Sequence, residues 1–127
     1  MEGSYLVETA EAVKKFQKEI NGGTASLVLL GVLGSTDKPM YGYQIAKLIE
    51  DHSGNVEIMK HGALYPVLRS LESTGLLTSE VEPSVSGPPR RYYRITTPGQ
   101  ETLSKWREIW AQTRDLVDGV LGGNDDK

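Results

Sequence analysis

The sequence contains no cysteine, one phenylalanine and two histidines among its 127 residues. Without cysteine the chain can form no disulfide, zinc-thiolate site or cysteine nucleophile. No apolar run approaches the about 20 residues that a membrane-spanning helix needs. The N-terminus, MEGSYLVETAEAV, lacks the basic start and apolar core of a signal peptide. These absences predict a cytoplasmic protein with no membrane partner.

The two histidines give no indication of a metal site or of catalysis. His52 and His61 lie in different predicted elements, without a cluster of carboxylates beside them. No glycine-rich nucleotide-binding motif and no serine, histidine and acid arrangement is present. We therefore predict no catalytic residue, no metal and no cofactor, and that the protein is not an enzyme.

Composition and charge indicate one small globular domain with a local basic edge. Hydrophobic residues make up 38% of the chain and charged residues 24%. The formal net charge of -3 disfavours a nucleic-acid partner, but its distribution is uneven. Arg90, Arg91 and Arg94 fall close together within a predicted strand, so the sequence permits DNA binding without proving it.

Three helices are predicted in the first half of the chain. The first runs from about Ser4 to Ile20 and is ended by Asn21-Gly22-Gly23. The second, SLVLLGVLG, is capped by Thr24 and is apolar enough to be the central core element. A third helix is expected from about Tyr41 to His52.

The stretch HGALYPVLRSLESTG combines a helical apolar pattern with a proline. Leu64, Leu68 and Leu71 have the spacing of one buried helical face. Because proline lacks the N–H that bonds back along a helix, Pro66 is best tolerated in the first turn, so the helix should begin near Gly62. Tyr65 either covers the edge of the core or contacts a partner. The exposed, basic start of this helix comprises Lys60, His61, Gly62, Tyr65, Pro66 and Arg69.

A β-hairpin and a long final helix should follow. LLTSEVE and RRYYRIT read as strands on either side of a seven-residue loop, PSVSGPP. Arg90 and Arg91 lie at the return of this hairpin, while Arg94 is expected to form a salt bridge. Thr97 is predicted to cap the last helix, with Gln100 completing a capping box.

Apolar residues along the final helix follow the spacing of a helix-pairing seam. Trp106 and Trp110 are one turn apart on this seam. Packing is favoured for Trp106, whereas Trp110 could equally well line an effector pocket. The dimer interface predicted from this pattern and from the first helix comprises Val13, Phe16, Leu103, Trp106, Trp110, Thr113, Val117 and Val120.

The predicted order of elements is that of a winged helix-turn-helix domain. Three ordered motifs, YGYQIAKLIE, GALYPVLRSLESTGLL and GPPRRYYRIT followed by T-x-G, resemble the PadR family of transcriptional regulators from about Ser26 to Leu121. The resemblance implies a dimeric repressor, and many members of this family release DNA when they bind a small hydrophobic compound. It also implies a recognition helix from Gly62 to Thr74 and a wing from Leu76 to Thr96, whose Arg90 and Arg91 are expected to contact DNA phosphates or the minor groove. One departure is MKH, which replaces the small polar cap common before the recognition helix.

We therefore expect a mainly α fold, a winged helix-turn-helix with a two-stranded β-wing plus N- and C-terminal dimerisation helices. The expected segments are an N-terminal dimerisation helix at 1–22, a DNA-binding domain at 23–96, a C-terminal dimerisation helix at 97–122 and a flexible tail at 123–127. We expect the protein to be a homodimeric transcriptional regulator that binds an inverted repeat in double-stranded DNA. A small aromatic or hydrophobic effector is expected to release it from that DNA. Two alternatives stay open: a winged-helix module that binds only proteins, and a small-molecule sensor.

Overall fold

The fold is described by a computed structural model that covers the backbone of residues 2–53 and 61–122 and the side chains of residues 8–53 and 62–122. The described part of the chain is mainly helical and contains a small sheet. The elements in chain order are α1 (Glu2–Gly34), β1 (Met40–Tyr41), α2 (Gly42–Ser53), α3 (His61–Ser73), β2 (Leu77–Ser84), β3 (Gly87–Ile95) and α4 (Thr97–Leu121). In the part of the chain so described, no helix is long and apolar enough to cross a bilayer.

Helix α1 is continuous, so the predicted break at Asn21-Gly22-Gly23 was wrong. Glycine weakens a helix by about 1 kcal/mol relative to alanine but keeps both backbone hydrogen-bonding groups. Thr24 does not cap a second helix; its hydroxyl donates to the carbonyl of Ile20 at 2.7 Å, one turn back within the same helix. Packing of the C-terminal half of α1 in the core provides the stabilisation that helices of this length draw from tertiary contacts.

The core lies between the C-terminal half of α1, the helices α2 and α3, the sheet and the start of α4. Its side chains occur at helical spacing in α1, α2 and α3, as the sequence predicts. Burial of each large aliphatic side chain contributes about 1.5–3 kcal/mol relative to exposure. The core residues are Leu29, Leu30, Leu33, Ile45, Ile49, Leu64, Leu68, Leu71, Leu77, Tyr93 and Leu103.

The sheet has three antiparallel strands in the order β1-β3-β2, rather than the two that were predicted. The added strand β1 pairs Met40 with Tyr93 and Tyr41 with Tyr92. The predicted seven-residue loop was also wrong, because β2 extends to Ser84 and β3 begins at Gly87. Prolines cannot donate to a ladder, but β3 pairs on one side only at its Pro88-Pro89 end, so their missing N–H groups are tolerated there.

The starts of α3 and α4 each differ from the expected ones by one residue. Helix α3 begins at His61, so Pro66 is its sixth residue and lies beyond the first turn. The carbonyl of Gly62 therefore lacks its helical donor. Helix α4 is capped by Thr96, not Thr97: the Thr96 hydroxyl accepts from the Gly99 N–H at 3.0 Å. A capping box from Thr97 to Gln100 is thus not formed.

The stop after α3 is confirmed. Gly75 adopts a φ of 85°, the left-handed conformation that glycine favours. The N–H of Leu76 donates to the carbonyl of Leu71 at 2.9 Å, and the Thr96 hydroxyl donates to the carbonyl of Gly75 at 2.7 Å. This turn therefore ties the end of α3 to the start of α4.

Candidate nucleic-acid interface

Helix α3 has one buried and one exposed face, as predicted. Leu64, Leu68 and Leu71 are at most 4% exposed. Tyr65, Pro66 and Arg69 lie on the opposite side and are exposed, together with Gly62. Lys60 and the side chain of His61 lie outside the described residues. Among the residues that the structure describes, none covers this face of α3, which can therefore approach another surface.

Tyr65 packs on the start of α2 while keeping part of its ring exposed. Its ring and hydroxyl lie against Gly42, in the space that any other side chain at position 42 would occupy. Tyr65 is nevertheless 44% exposed. The two readings of Tyr65 from the sequence are therefore compatible, because one edge of the ring packs and the other faces solvent.

A cluster of one arginine and three tyrosines joins the base of the hairpin to α2. The guanidinium carbon of Arg90 lies 4.4 Å from the centroid of the Tyr41 ring, a cation–π contact. The Tyr92 ring meets the Tyr41 ring edge-on, with 5.3 Å between their centroids. The Tyr43 ring stacks on the Tyr41 ring, with 6.5 Å between their centroids. The sequence motif contains these tyrosines, but their proximity to Arg90 depends on the short strand β1, which sequence patterns did not reveal.

The other two arginines of the hairpin also have partners within the protomer. Arg91 Nη1 donates to the Ser79 hydroxyl at 3.0 Å, and that hydroxyl donates to the Glu72 carboxylate at 2.7 Å. Arg94 Nη1 donates to the main-chain carbonyl of Asp37 at 3.1 Å, rather than to a carboxylate as predicted. All three arginines are still exposed, so their remaining N–H groups can reach a ligand.

Tyr93 lies beneath this basic surface and is 2% exposed. Burial raises the pKa of Tyr93 above its ordinary value, and the nearby Glu72 carboxylate raises it further. Arg91 and Arg69 act in the opposite direction because positive charge favours the phenolate. Residues of α3 and β3, among them Glu72, Arg69 and Arg91, therefore lie close enough to Tyr93 to influence its titration.

A second site lies between α1 and α4, away from the α3 surface. The helices enclose a groove of about 760 Å³ with mainly apolar walls. Trp106 is half-buried against the core, whereas Trp110 is 40% exposed. Both tryptophans line this groove, together with Phe16, Ile20, Leu27 and Val117.

Most of the predicted interface residues are exposed in the protomer. Val13 and Phe16 of α1 are 63% and 62% exposed, and Val117 and Val120 of α4 are 45% and 76% exposed. Thr113 is exposed as well. Leu103 differs: it is 1% exposed and packs in the core of its own protomer near Gly34, so it has no surface to offer a second subunit.

The described residues hold no group of three or more histidine, aspartate or glutamate side chains that could bind a metal ion. The three arginines of β3 instead contact the Tyr41 ring, the Ser79 hydroxyl and the main-chain carbonyl of Asp37. This geometry suits recognition of a charged surface through hydrogen bonds.

Comparison with known proteins relates residues 29–105 to the transcriptional regulator PadR-like family. A transcriptional regulator of Mycobacterium tuberculosis is 35% identical over 89 residues, which cover 70% of this chain and 77% of the relative. The crystal structure of a PadR family transcriptional regulator from Eggerthella lenta is similar with a TM-score of 0.69 and 35% identity, over 95% of this chain and 99% of that one. A PadR family regulator from Clostridium difficile gives a TM-score of 0.65 at 28% identity, over 78% and 99% of the two chains.

Proposed function

This chain belongs to the PadR-like family and is a DNA-binding transcriptional regulator, and we propose that it acts in the cytoplasm as a homodimeric, sequence-specific repressor. A small aromatic or hydrophobic molecule controls its release from DNA. The observation that supports this proposal best is the pairing of an exposed basic face on α3 and the hairpin with an uncovered apolar face on α1 and α4.

The apolar face supports the homodimer. Phe16, Trp110, Val117 and Val120 are each at least 40% exposed and lie on two helices that extend beyond the core. Soluble monomers rarely leave apolar patches of this kind uncovered. A second copy supplies the same stripe by two-fold symmetry, so each protomer covers the other. The dimerisation segments are the parts of α1 and α4 within 1–22 and 97–122.

The basic face supports a DNA contact by α3 as recognition helix, with β2 and β3 as the β-wing. Tyr65 and Arg69 face outward one helical turn apart and can reach phosphates or base edges. Because Gly62 has no side chain, the start of α3 can approach the DNA backbone closely. Pro66 has no backbone N–H to leave unpaired at that surface. Arg90 and Arg91 extend the positive surface into the β-wing, where contacts with phosphates fix orientation.

Dimer symmetry then defines the form of the operator. Two recognition helices related by a two-fold axis read the same sequence on opposite strands, so the site is an inverted repeat. Half-sites about one helical turn apart, ~34 Å, allow both helices to enter successive major grooves. A dimer bound across such a site in a promoter occupies DNA that polymerase needs, which is why we assign repression.

The groove between α1 and α4 supports control by a small molecule. Its volume of about 760 Å³ is in the range of ligand sites, and indole rings of Trp106 and Trp110 offer flat apolar faces. A ligand that favours one angle between the two winged domains misplaces a recognition helix relative to its half-site and lowers operator affinity by linkage.

The test replaces Val117 and Val120 by aspartate and follows mass by light scattering and DNA binding by anisotropy. Buried carboxylates at a seam are costly, so the variant should be monomeric and should bind a duplex from the intergenic region beside its own gene at least tenfold more weakly. The double substitution Ser104→Asp and Gln112→Asp is the charge-matched control, because it adds two negative charges at exposed positions of α4 that do not line the groove. An aspartate variant that stays dimeric would place the interface elsewhere, and a dimeric wild type that binds no duplex would favour the protein-interaction module.

A further inference from the structure

We propose that Glu72 and Ser79 are positioning residues that hold the β-wing against the recognition helix and thereby orient Arg91 toward the DNA backbone. This inference rests on the proposed function, since it assumes that the β-wing contacts DNA. It assigns a role to two residues that are not themselves expected to touch the nucleic acid.

The three side chains form one directed chain of hydrogen bonds. Ser79 has a single hydroxyl proton, and it is donated to Glu72 Oε2 at 2.7 Å. Ser79 Oγ in turn accepts a hydrogen bond from Arg91 Nη1 at 3.0 Å. With a carboxylate at one end and a guanidinium at the other, both bonds are strengthened by charge and polarise each other.

These hydrogen bonds join α3, β2 and β3 at the level where the packed part of the hairpin ends. Ser79 pairs with Tyr93 and Arg91 with Val81, on the same sheet face as the buried Leu77. On this face of the sheet the hairpin packs little beyond this level: Val81 is 52% exposed and Val85, at the tip, is fully exposed. The bonds among Glu72, Ser79 and Arg91 therefore stand at the base of the outer hairpin and restrict its angle to α3.

The sign of the charge makes the role of Glu72 recognisable. A carboxylate beside a DNA-binding helix repels phosphate, so on charge alone its removal should strengthen binding. If Glu72 instead holds Arg91 in place through Ser79, its removal should weaken binding. The two roles predict opposite effects of one substitution.

The experiment measures anisotropy of a labelled duplex from the intergenic region beside the protein's own gene, with Glu72→Gln, Ser79→Ala and the control Glu80→Gln. Glu80 lies on the other face of β2, opposite Tyr92, and its substitution removes the same charge without touching Ser79. We expect Glu72→Gln and Ser79→Ala each to weaken binding about fivefold to tenfold, as for loss of a charge-assisted hydrogen bond. Glu80→Gln should leave affinity unchanged or raise it.

A double-mutant cycle separates positioning from a general loss of structure. In an Arg91→Ala background, Glu72→Gln and Ser79→Ala should have no further effect on affinity, because they act through Arg91. Additive losses in that background, or a Glu72→Gln variant that binds as tightly as Glu80→Gln, would overturn the positioning role while leaving the proposed function standing. A wild-type protein that binds no duplex would remove both.

Discussion

The Tyr65 ring occupies the space directly beside the α-carbon of Gly42, so that α2 begins where α3 presents its exposed tyrosine. A side chain at position 42 and the observed position of Tyr65 exclude each other. Glycine is needed here for close approach rather than for an unusual backbone angle.

Gly42→Ala should therefore displace Tyr65 and destabilise the fold by about 1–3 kcal/mol, the usual cost of inserting a methyl group into a packed site. Chemical denaturation measures the loss. Gly62→Ala is the matched control, since a methyl group there meets nothing within 4 Å. If Gly42→Ala unfolds at the same denaturant concentration as the wild type, or at a higher one, Tyr65 does not pack on α2 in solution.

The continuity of α1 can be tested at Gly22. An alanine methyl group at this position meets nothing within 4 Å, so Gly22→Ala should stabilise a continuous helix by about 1 kcal/mol. Gly34→Ala in the same helix should destabilise the protein, because its methyl group would collide with Leu103. Thermal unfolding compares the two. A loss of stability in Gly22→Ala would show that the helix does break where the sequence pattern indicated.

Sequence patterns predicted the elements that depend on local periodicity. The buried faces of α2 and α3 follow from apolar residues three or four positions apart. The paired strands of the hairpin follow from alternation every two residues. The predicted break in α1 gave too much weight to Gly22-Gly23, whose cost is offset by packing farther along the helix. Strand β1 was missed because two residues carry no alternating pattern.

The candidate site was predictable only in part. Tyr65, Pro66 and Arg69 were placed correctly on the exposed face of α3, because a single helical period determines which side they share. The contacts of Arg90 with Tyr41 and of Arg91 with Ser79 join residues far apart in the chain, so no local pattern indicates them. Leu103 fits the seam spacing, but it lies in the first turns of α4, where the core still covers that face.

Tyr93 should make stability sensitive to alkaline pH. Below its ordinary pKa of about 10 the phenol is neutral in both states, and its contribution is fully present. Above that pH the unfolded state loses the proton while the folded state, with its raised pKa, keeps it, so the free energy of unfolding falls by up to about 1.4 kcal/mol per pH unit until the folded pKa is passed. In Tyr93→Phe this part of the decline should be missing, as denaturant midpoints at pH 9 and 11 would reveal; equal declines in the two proteins would contradict the shift.

Trp110 should report a planar ligand in the groove between α1 and α4. A naphthalene-based dye that stacks on the indole should quench tryptophan fluorescence in the wild type. Trp110→Ala should abolish most of this quenching while operator affinity without dye stays nearly intact. Ile109→Ala, which changes the same groove but keeps both indoles, is the control. Dissociation of the Trp110→Ala dimer, with no dye binding to the parent protein, would make the tryptophans packing residues only.

The central claim is that a symmetric dimer binds an inverted repeat in DNA through its two recognition helices. Nuclease footprinting across the intergenic region beside its own gene, repeated at increasing salt, tests this most directly. We predict one protected region with two half-sites related by a two-fold axis, about one helical turn or ~34 Å apart, and protection that weakens steeply with salt as phosphate contacts are lost. Protection of a single unrepeated site, or binding that does not change with salt, would contradict the account.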